Sequence, residues 1–130
     1  MEPIEVDISG DVVERQELLN GAQILTLEGA SADGAWTLVG GLSWNIGLRD
    51  VPPEGDITLS SDAGELFGTL ARGEVREAEA ADEADYALSL EYEVDGGEGV
   101  YAGAMGHLRV EGVLFGDAFR TAVRASDIHW

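Results

Sequence analysis

Apolar and polar residues alternate along most of this chain. Ile4, Val6 and Ile8 are separated by Glu5 and Asp7, which predicts a short first strand. Ile24-Leu25-Thr26-Leu27 predicts a second, closed by Gly29. After a turn at Ala32-Asp33-Gly34, the residues Trp36, Leu38 and Val39 lead to Gly40-Gly41, and Leu42, Trp44, Ile46 and Leu48 then share one face. Two glycines in mid-pattern predict a bulge or a tight bend. Val51-Pro52-Pro53-Glu54-Gly55 reads as a loop. Ile57 and Leu59, then Leu66, Gly68 and Leu70, flank a hairpin turn at Asp62-Ala63-Gly64.

The cleanest half-buried strand is Tyr86, Leu88, Leu90, Tyr92 and Val94, alternating with Ala87, Ser89, Glu91 and Glu93. Asp95-Gly96-Gly97-Glu98-Gly99 reads as a turn. Val100-Tyr101-Ala102-Gly103 leads through Gly106 into Leu108, Val110 and Gly112, and a last strand runs from Phe119 to about Ile128. Two segments break the alternation. Residues 11–19 fit either a two-turn helix ended by Gly21 or an irregular loop, and residues 77–85 form an acidic, Ala-rich loop. Eight or nine short strands with little helix make a sandwich or a barrel. The glycines inside strands and the length of 130 residues favour an all-β fold, a small closed antiparallel β-barrel of about eight strands spanning residues 1–130 as a single domain. Such a barrel is just wide enough to hold one small ligand.

Charge narrows the partners. The chain carries 26 acidic and 7 basic residues, all of the latter Arg, for a net charge of −19. Phosphate backbones and anionic membrane surfaces would be repelled, so neither nucleic acid nor membrane is expected. A halophilic surface, a genome rich in G and C, or a metal-rich site could each account for the acids. They are scattered rather than clustered, which favours a solvated acidic surface and no metal. The absence of Cys excludes disulfides and thiolate chemistry. No basic and apolar leader opens the sequence and no apolar run reaches the length of a bilayer span, so a cytoplasmic location is expected.

Catalytic motifs are absent. His107 and His129 have no Ser or Cys beside them in nucleophile-type surroundings, and no phosphate-binding glycine loop opens a helix. Gly34-Ala35-Trp36 matches the lipocalin G-x-W, but lies too far from the N-terminus for that motif. Aromatic residues fall in register with the apolar faces: Trp36 with Leu38, Trp44 with Leu42, and Tyr86 and Tyr92 with Leu88 and Leu90. If these faces turn inward they line a cavity whose polar handles are phenol hydroxyls; the alternative is that they fill the core. A one-residue slip would bury Glu91 and Glu93 instead, which desolvation forbids. Arg109, Arg120 and Arg124 fall on outward positions, unless a bulge in the last strand turns one of the latter two inward. Leu25, Leu27, Phe67 and Val113 read as apolar residues on the outer face, and a homodimer or trimer would cover them.

The run Asp95-Gly96-Gly97-Glu98-Gly99-Val100-Tyr101-Ala102-Gly103-Ala104-Met105-Gly106-His107-Leu108-Arg109-Val110, with the closing strands after it and the hairpin from Gly55 to Val75, resembles the allene oxide cyclase-like, calycin-like barrel. The resemblance covers roughly residues 55–128 and takes in plant allene oxide cyclases, dirigent proteins and bacterial spirotetronate cyclases. No counterpart of the plant enzymes' polar catalytic residues is found. What the resemblance implies is a cofactor-independent cyclase of polyketide biosynthesis, folding a linear apolar substrate for an intramolecular cyclisation such as a [4+2] cycloaddition. A barrel without nucleophiles suits such a reaction, which needs a folded substrate, exclusion of water and one donor on a carbonyl. In that reading Tyr92 and Tyr86 are the catalytic donors, and Trp44, Trp36, Leu88, Leu90, Leu108 and Val110 bind substrate. The alternative is a non-catalytic, dirigent-like or carrier barrel that binds a small hydrophobic ligand.

Overall fold

A computed structural model describes residues 4–19, 21–45, 51–78, 84–125 and 127–130. Eight antiparallel strands close into one barrel in chain order: β1 (Ile4–Glu17), β2 (Ala22–Ser31), β3 (Trp36–Asn45), β4 (Glu54–Ser61), β5 (Gly64–Glu77), β6 (Tyr86–Gly99), β7 (Gly106–Phe115) and β8 (Ala118–Ala125). Each strand pairs with its sequence neighbours, and β8 returns to β1 through Ile4↔Ala125, Val6↔Val123 and Ile8↔Thr121. No helix occurs among the described residues. The period of two has its expected consequence. Alternate residues such as Ile8, Leu25, Leu42, Leu59, Leu66, Leu90, Leu108, Phe119 and Val123 are buried in the lumen, while charged neighbours face out.

Several boundaries differ from the sequence reading. Residues 11–17 continue β1, held by Asp11↔Glu28 and Gln16↔Ile24, with a register shift between Val12 and Glu14; pairing to β2 overrides weak local helical preference. Asp95 to Gly99 is the end of β6, with Asp95 bulged and Gly96 to Gly99 paired with Phe67 to Gly64, and the chain turns at residues 100–103 instead. Gly40 and Gly41 sit in unbroken register. Their missing side chains serve close approach: a Cβ on Gly40 would stand 2.6 Å from the Asp56 carbonyl oxygen. The bulges that curve the wall lie at Val13 of β1, Ala71 of β5 and Asp95 of β6. Leu25 and Leu27 face the lumen, so β2 turns Ile24 to solvent instead, while Phe67 and Val113 are half-buried. β8 is regular in both of its pairings, leaving Arg120 and Arg124 outside with Arg109. Ile46 and Leu48, and most of the acidic loop, lie outside the described residues.

The barrel's two ends are built differently. At one end the tight turns at residues 32–35 and 62–63 meet the segment 100–105 and the C-terminal tail 127–130. Ile128 is buried there, Tyr101 packs edge-on against Trp130 at 4.9 Å, and Trp36 lies 6.2 Å from Tyr101. His107 Nδ1 and Asp127 Oδ2, 2.8 Å apart, fasten the tail to β7. Gly106 makes this possible: its φ is +141°, and a Cβ would come within 2.8 Å of the Ile128 Cα. This end is stoppered. At the other end β4 begins at Glu54, and its last partner on β5 is Thr69. Among the described residues β5 runs on to Glu77 paired with β6 alone. On that side the wall is open among the described residues.

Candidate binding site at the open end of the barrel

The inward positions of β2 are Gln23, Leu25 and Leu27, and Gln23 stands directly opposite Trp44 on β3. Tyr86 opens β6 at the same end, opposite Leu114. β3 and β6 are not neighbours in the sheet, yet the Trp44 and Tyr86 rings meet edge to face at 5.3 Å. The pair therefore spans the mouth from opposing walls. Contacts of this kind contribute about 0.5–1.5 kcal/mol beyond burial.

Hydrogen bonding around the pair is incomplete. Gln23 Nε2 donates to the Tyr86 hydroxyl at 3.1 Å, so that oxygen accepts and its own hydrogen is left for another acceptor. Trp44 Nε1 and Gln23 Oε1 are both buried without a partner among the described residues. An unpaired buried polar atom costs about 1–3 kcal/mol, which equals or exceeds what the ring contact contributes. The mouth is thus held by the ring contact and one hydrogen bond, and opposed by two unpaired atoms.

Outside this pair lies a recess of about 590 Å³, between Trp44, Val51, Pro52 and Pro53 on one side and Gly73 to Glu77 of β5 on the other. Its charged rim is Glu74, Arg76 and Glu77. Inside the pair the lumen is packed, and the free space beside Leu88, Leu90, Tyr92 and Val110 is about 20 Å³, the room of a single water. The Tyr92 hydroxyl has no hydrogen-bond partner among the described residues, and burial, reinforced by the charge of Asp56, pushes its phenol far above the usual range. Tyr92 is therefore an O–H donor at any ordinary pH and not a base.

The residues singled out from the sequence do not form one group. Trp44 and Tyr86 share the mouth, Leu88, Leu90, Tyr92 and Val110 share the water-sized cavity, and Leu108 is fully buried opposite Tyr92. Trp36 is eight residues from Trp44 along β3, in the stoppered end, because the face that carries both runs the length of the barrel. The outward arginines are engaged elsewhere: Arg109 with Glu111 at 3.0 Å, Arg124 with Glu5 at 3.4 Å, and Arg120 over the Phe115 ring. Gln23 escaped the sequence reading. Its signal was available, since it shares the alternation of Leu25 and Leu27 and so faces inward with them.

The side chains at the mouth can bind, orient and polarise. Trp44 N–H and Tyr86 O–H are donors, Gln23 Oε1 is an acceptor, and no nucleophile stands among them. Among the described residues no three His, Asp or Glu side chains converge as a metal site would require. Among the described residues no helix is long and apolar enough to cross a membrane. No family model and no curated protein sequence matches the chain. Among solved structures it is similar to a pyocyanin demethylase, with a TM-score of 0.62 and 19% identity over 96% of this chain and all of that one. At that identity the likeness shows the fold, a small closed barrel.

Proposed function

We propose that this barrel takes up a small, flat, largely apolar and uncharged molecule at its open end. The observation that carries the reading is the Trp44–Tyr86 pair standing across the mouth beneath a 590 Å³ recess while the opposite end is stoppered. The recess has the volume of a small-molecule site, with Trp44, Val51, Pro52 and Pro53 as its apolar wall. A net charge of −19, with Glu74 and Glu77 on the rim, disfavours anions. The test is titration of tryptophan fluorescence with naphthalene and with pyocyanin, the compound named for the similar barrel. Saturable binding that Trp44→Ala weakens at least tenfold is expected. Absence of binding, or binding that depends on Trp36 and not on Trp44, overturns the reading.

A second reading makes this site a cofactor-independent cyclase, and the resemblance of residues 55–128 to allene oxide cyclase-like barrels favours it. The free Tyr86 hydrogen and Trp44 N–H would then hold the carbonyl of a folded polyene while its ends are brought together. The water-sized space at Tyr92 favours Tyr86 as the hydroxyl that meets substrate. Incubation with a linear polyene tetronate should yield an isomer of unchanged mass, more slowly with Tyr86→Phe. If the parent protein gives no such isomer, the carrier reading is left. The partner expected besides the ligand is a second copy of this chain, docked on outer apolar positions such as Ile24, Val39 and Phe67; light scattering at the monomer mass of 13.7 kDa would rule it out.

A further inference from the structure

Among the polar side chains of the barrel, Gln23 and Trp44 stand apart. They occupy directly opposed positions on β2 and β3, both facing inward at the mouth. Trp44 is only 5% exposed, and its indole N–H is unpaired. The Gln23 amide is anchored through its nitrogen to the Tyr86 hydroxyl, which fixes the direction of its unpaired oxygen. One donor and one acceptor are thus carried by directly opposed residues of adjacent strands. Trp44 also lines the recess, which puts the donor's side chain at its wall.

We infer that this pair reads a ligand edge carrying a carbonyl and an N–H or O–H next to each other, as in a cyclic amide fused to an aromatic ring. Trp44 Nε1–H donates to the carbonyl, and Gln23 Oε1 accepts from the neighbouring N–H. Both atoms lie beneath the surface, so the ligand parts the Trp44 and Tyr86 rings as it enters and takes the place of their contact. Selectivity follows from the unpaired atoms: a ligand that satisfies both gains two hydrogen bonds, whereas one lacking the donor leaves Gln23 Oε1 as it was. Gln23 is then a specificity-determining residue. The inference rests on the ligand site proposed above and names the chemistry that site selects.

Three bicyclic probes of similar size separate the possibilities: 2-quinolone, with carbonyl and N–H adjacent; N-methyl-2-quinolone, with the carbonyl alone; and naphthalene, with neither. Binding is followed by the indole N–H resonance of Trp44, one of three tryptophans, identified by its loss in Trp44→Phe. The 2-quinolone is expected to bind about tenfold more tightly than its N-methyl analogue and to move that resonance most. Gln23→Met should reduce the preference to within about twofold. Trp44→Phe should weaken both quinolones towards naphthalene, which tests the donor even if Gln23→Met does not fold. Equal affinity of the two quinolones in the parent protein, or a preference that survives Gln23→Met, overturns the inference and leaves the apolar site standing. If none of the three binds, the site itself is overturned.

Discussion

The two ends of this barrel use the same materials to opposite effect. Each has a tryptophan and a tyrosine in contact, Trp36 with Tyr101 at one end and Trp44 with Tyr86 at the other. At the stoppered end no fully buried side-chain polar atom is left unpaired among the described residues. Ser31 Oγ donates to Asp33 Oδ1 at 2.7 Å and accepts from the Trp36 N–H at 3.1 Å, and the tail is fastened by Asp127. At the mouth the second tryptophan and its polar neighbour are buried unpaired. Aromatic residues alone therefore do not mark a site. The difference lies in whether the polar atoms around them have been given partners.

The largest effect should come from unseating the stopper. Ile128→Ala removes a buried side chain and should lower stability by about 2–5 kcal/mol, roughly 10 °C in Tm, without changing ligand affinity at the mouth. A Tm within a degree or two of the parent would mean that the tail is not part of the core. Next in size is Gly106→Ala, which places a Cβ against the tail at a φ of +141° and should cost about 1–3 kcal/mol by the same measurement. Smaller, and more pointed, is a pair of polar deletions. Ser31→Ala should cost about 1–2 kcal/mol, since it leaves the Trp36 N–H without its acceptor, whereas Gln23→Leu should change stability by about 0.5 kcal/mol at most and act on binding instead. Chemical denaturation of the two variants decides this; equal losses would erase the contrast between the ends.

The smallest effect is on pH. The hydrogen bond with Asp127 raises the His107 pKa above its ordinary 6.5, and the same bond holds Asp127 below its ordinary 3.8. The His107 contribution is complete below about 6.5 and is lost as pH rises through its raised folded value. The Asp127 contribution is complete above 3.8 and is lost as pH falls through its lowered folded value. The Tm difference between the parent and Asp127→Asn should therefore be greatest between these limits. Both side chains are about half exposed, so solvent screening keeps that difference small. A difference that grows steadily above pH 7 would contradict the assignment.

The barrel was legible because alternation fixes which face of each strand is buried, and a misplaced Glu91 or Glu93 is prohibitive. Strand length and curvature were less so. The 14 residues of β1 and of β6 extend through segments whose composition favours turns or helix, and only pairing with a neighbour holds them straight. The candidate site was half visible. Trp44 and Tyr86 were found by register, but register does not say at which level of a barrel a residue sits, so Trp36 and Tyr92 were grouped with them. The stopper was invisible, because the alternation of β8 puts Ile128 on the outward face with Arg120 and Arg124, and it is buried only because the chain has already left the sheet.

Closure of the barrel has a consequence for folding. Seven of the strand pairings join sequence neighbours through hairpins, but β1 and β8 must meet across more than a hundred residues, the costliest closure, and a sheet in which they have not yet met has two bare edges. Bare edges invite pairing with another chain. Here they carry opposite charge: the outward residues of β1 include Glu5, Asp7 and Asp11, and those of β8 are Arg124, Ala122 and Arg120, with Glu5 directly opposite Arg124. Two β1 edges from different molecules repel one another, whereas β1 and β8 of one molecule attract in the register that closes it. A distribution that would contribute little to the finished barrel thus directs the chain to complete its own sheet rather than a neighbour's.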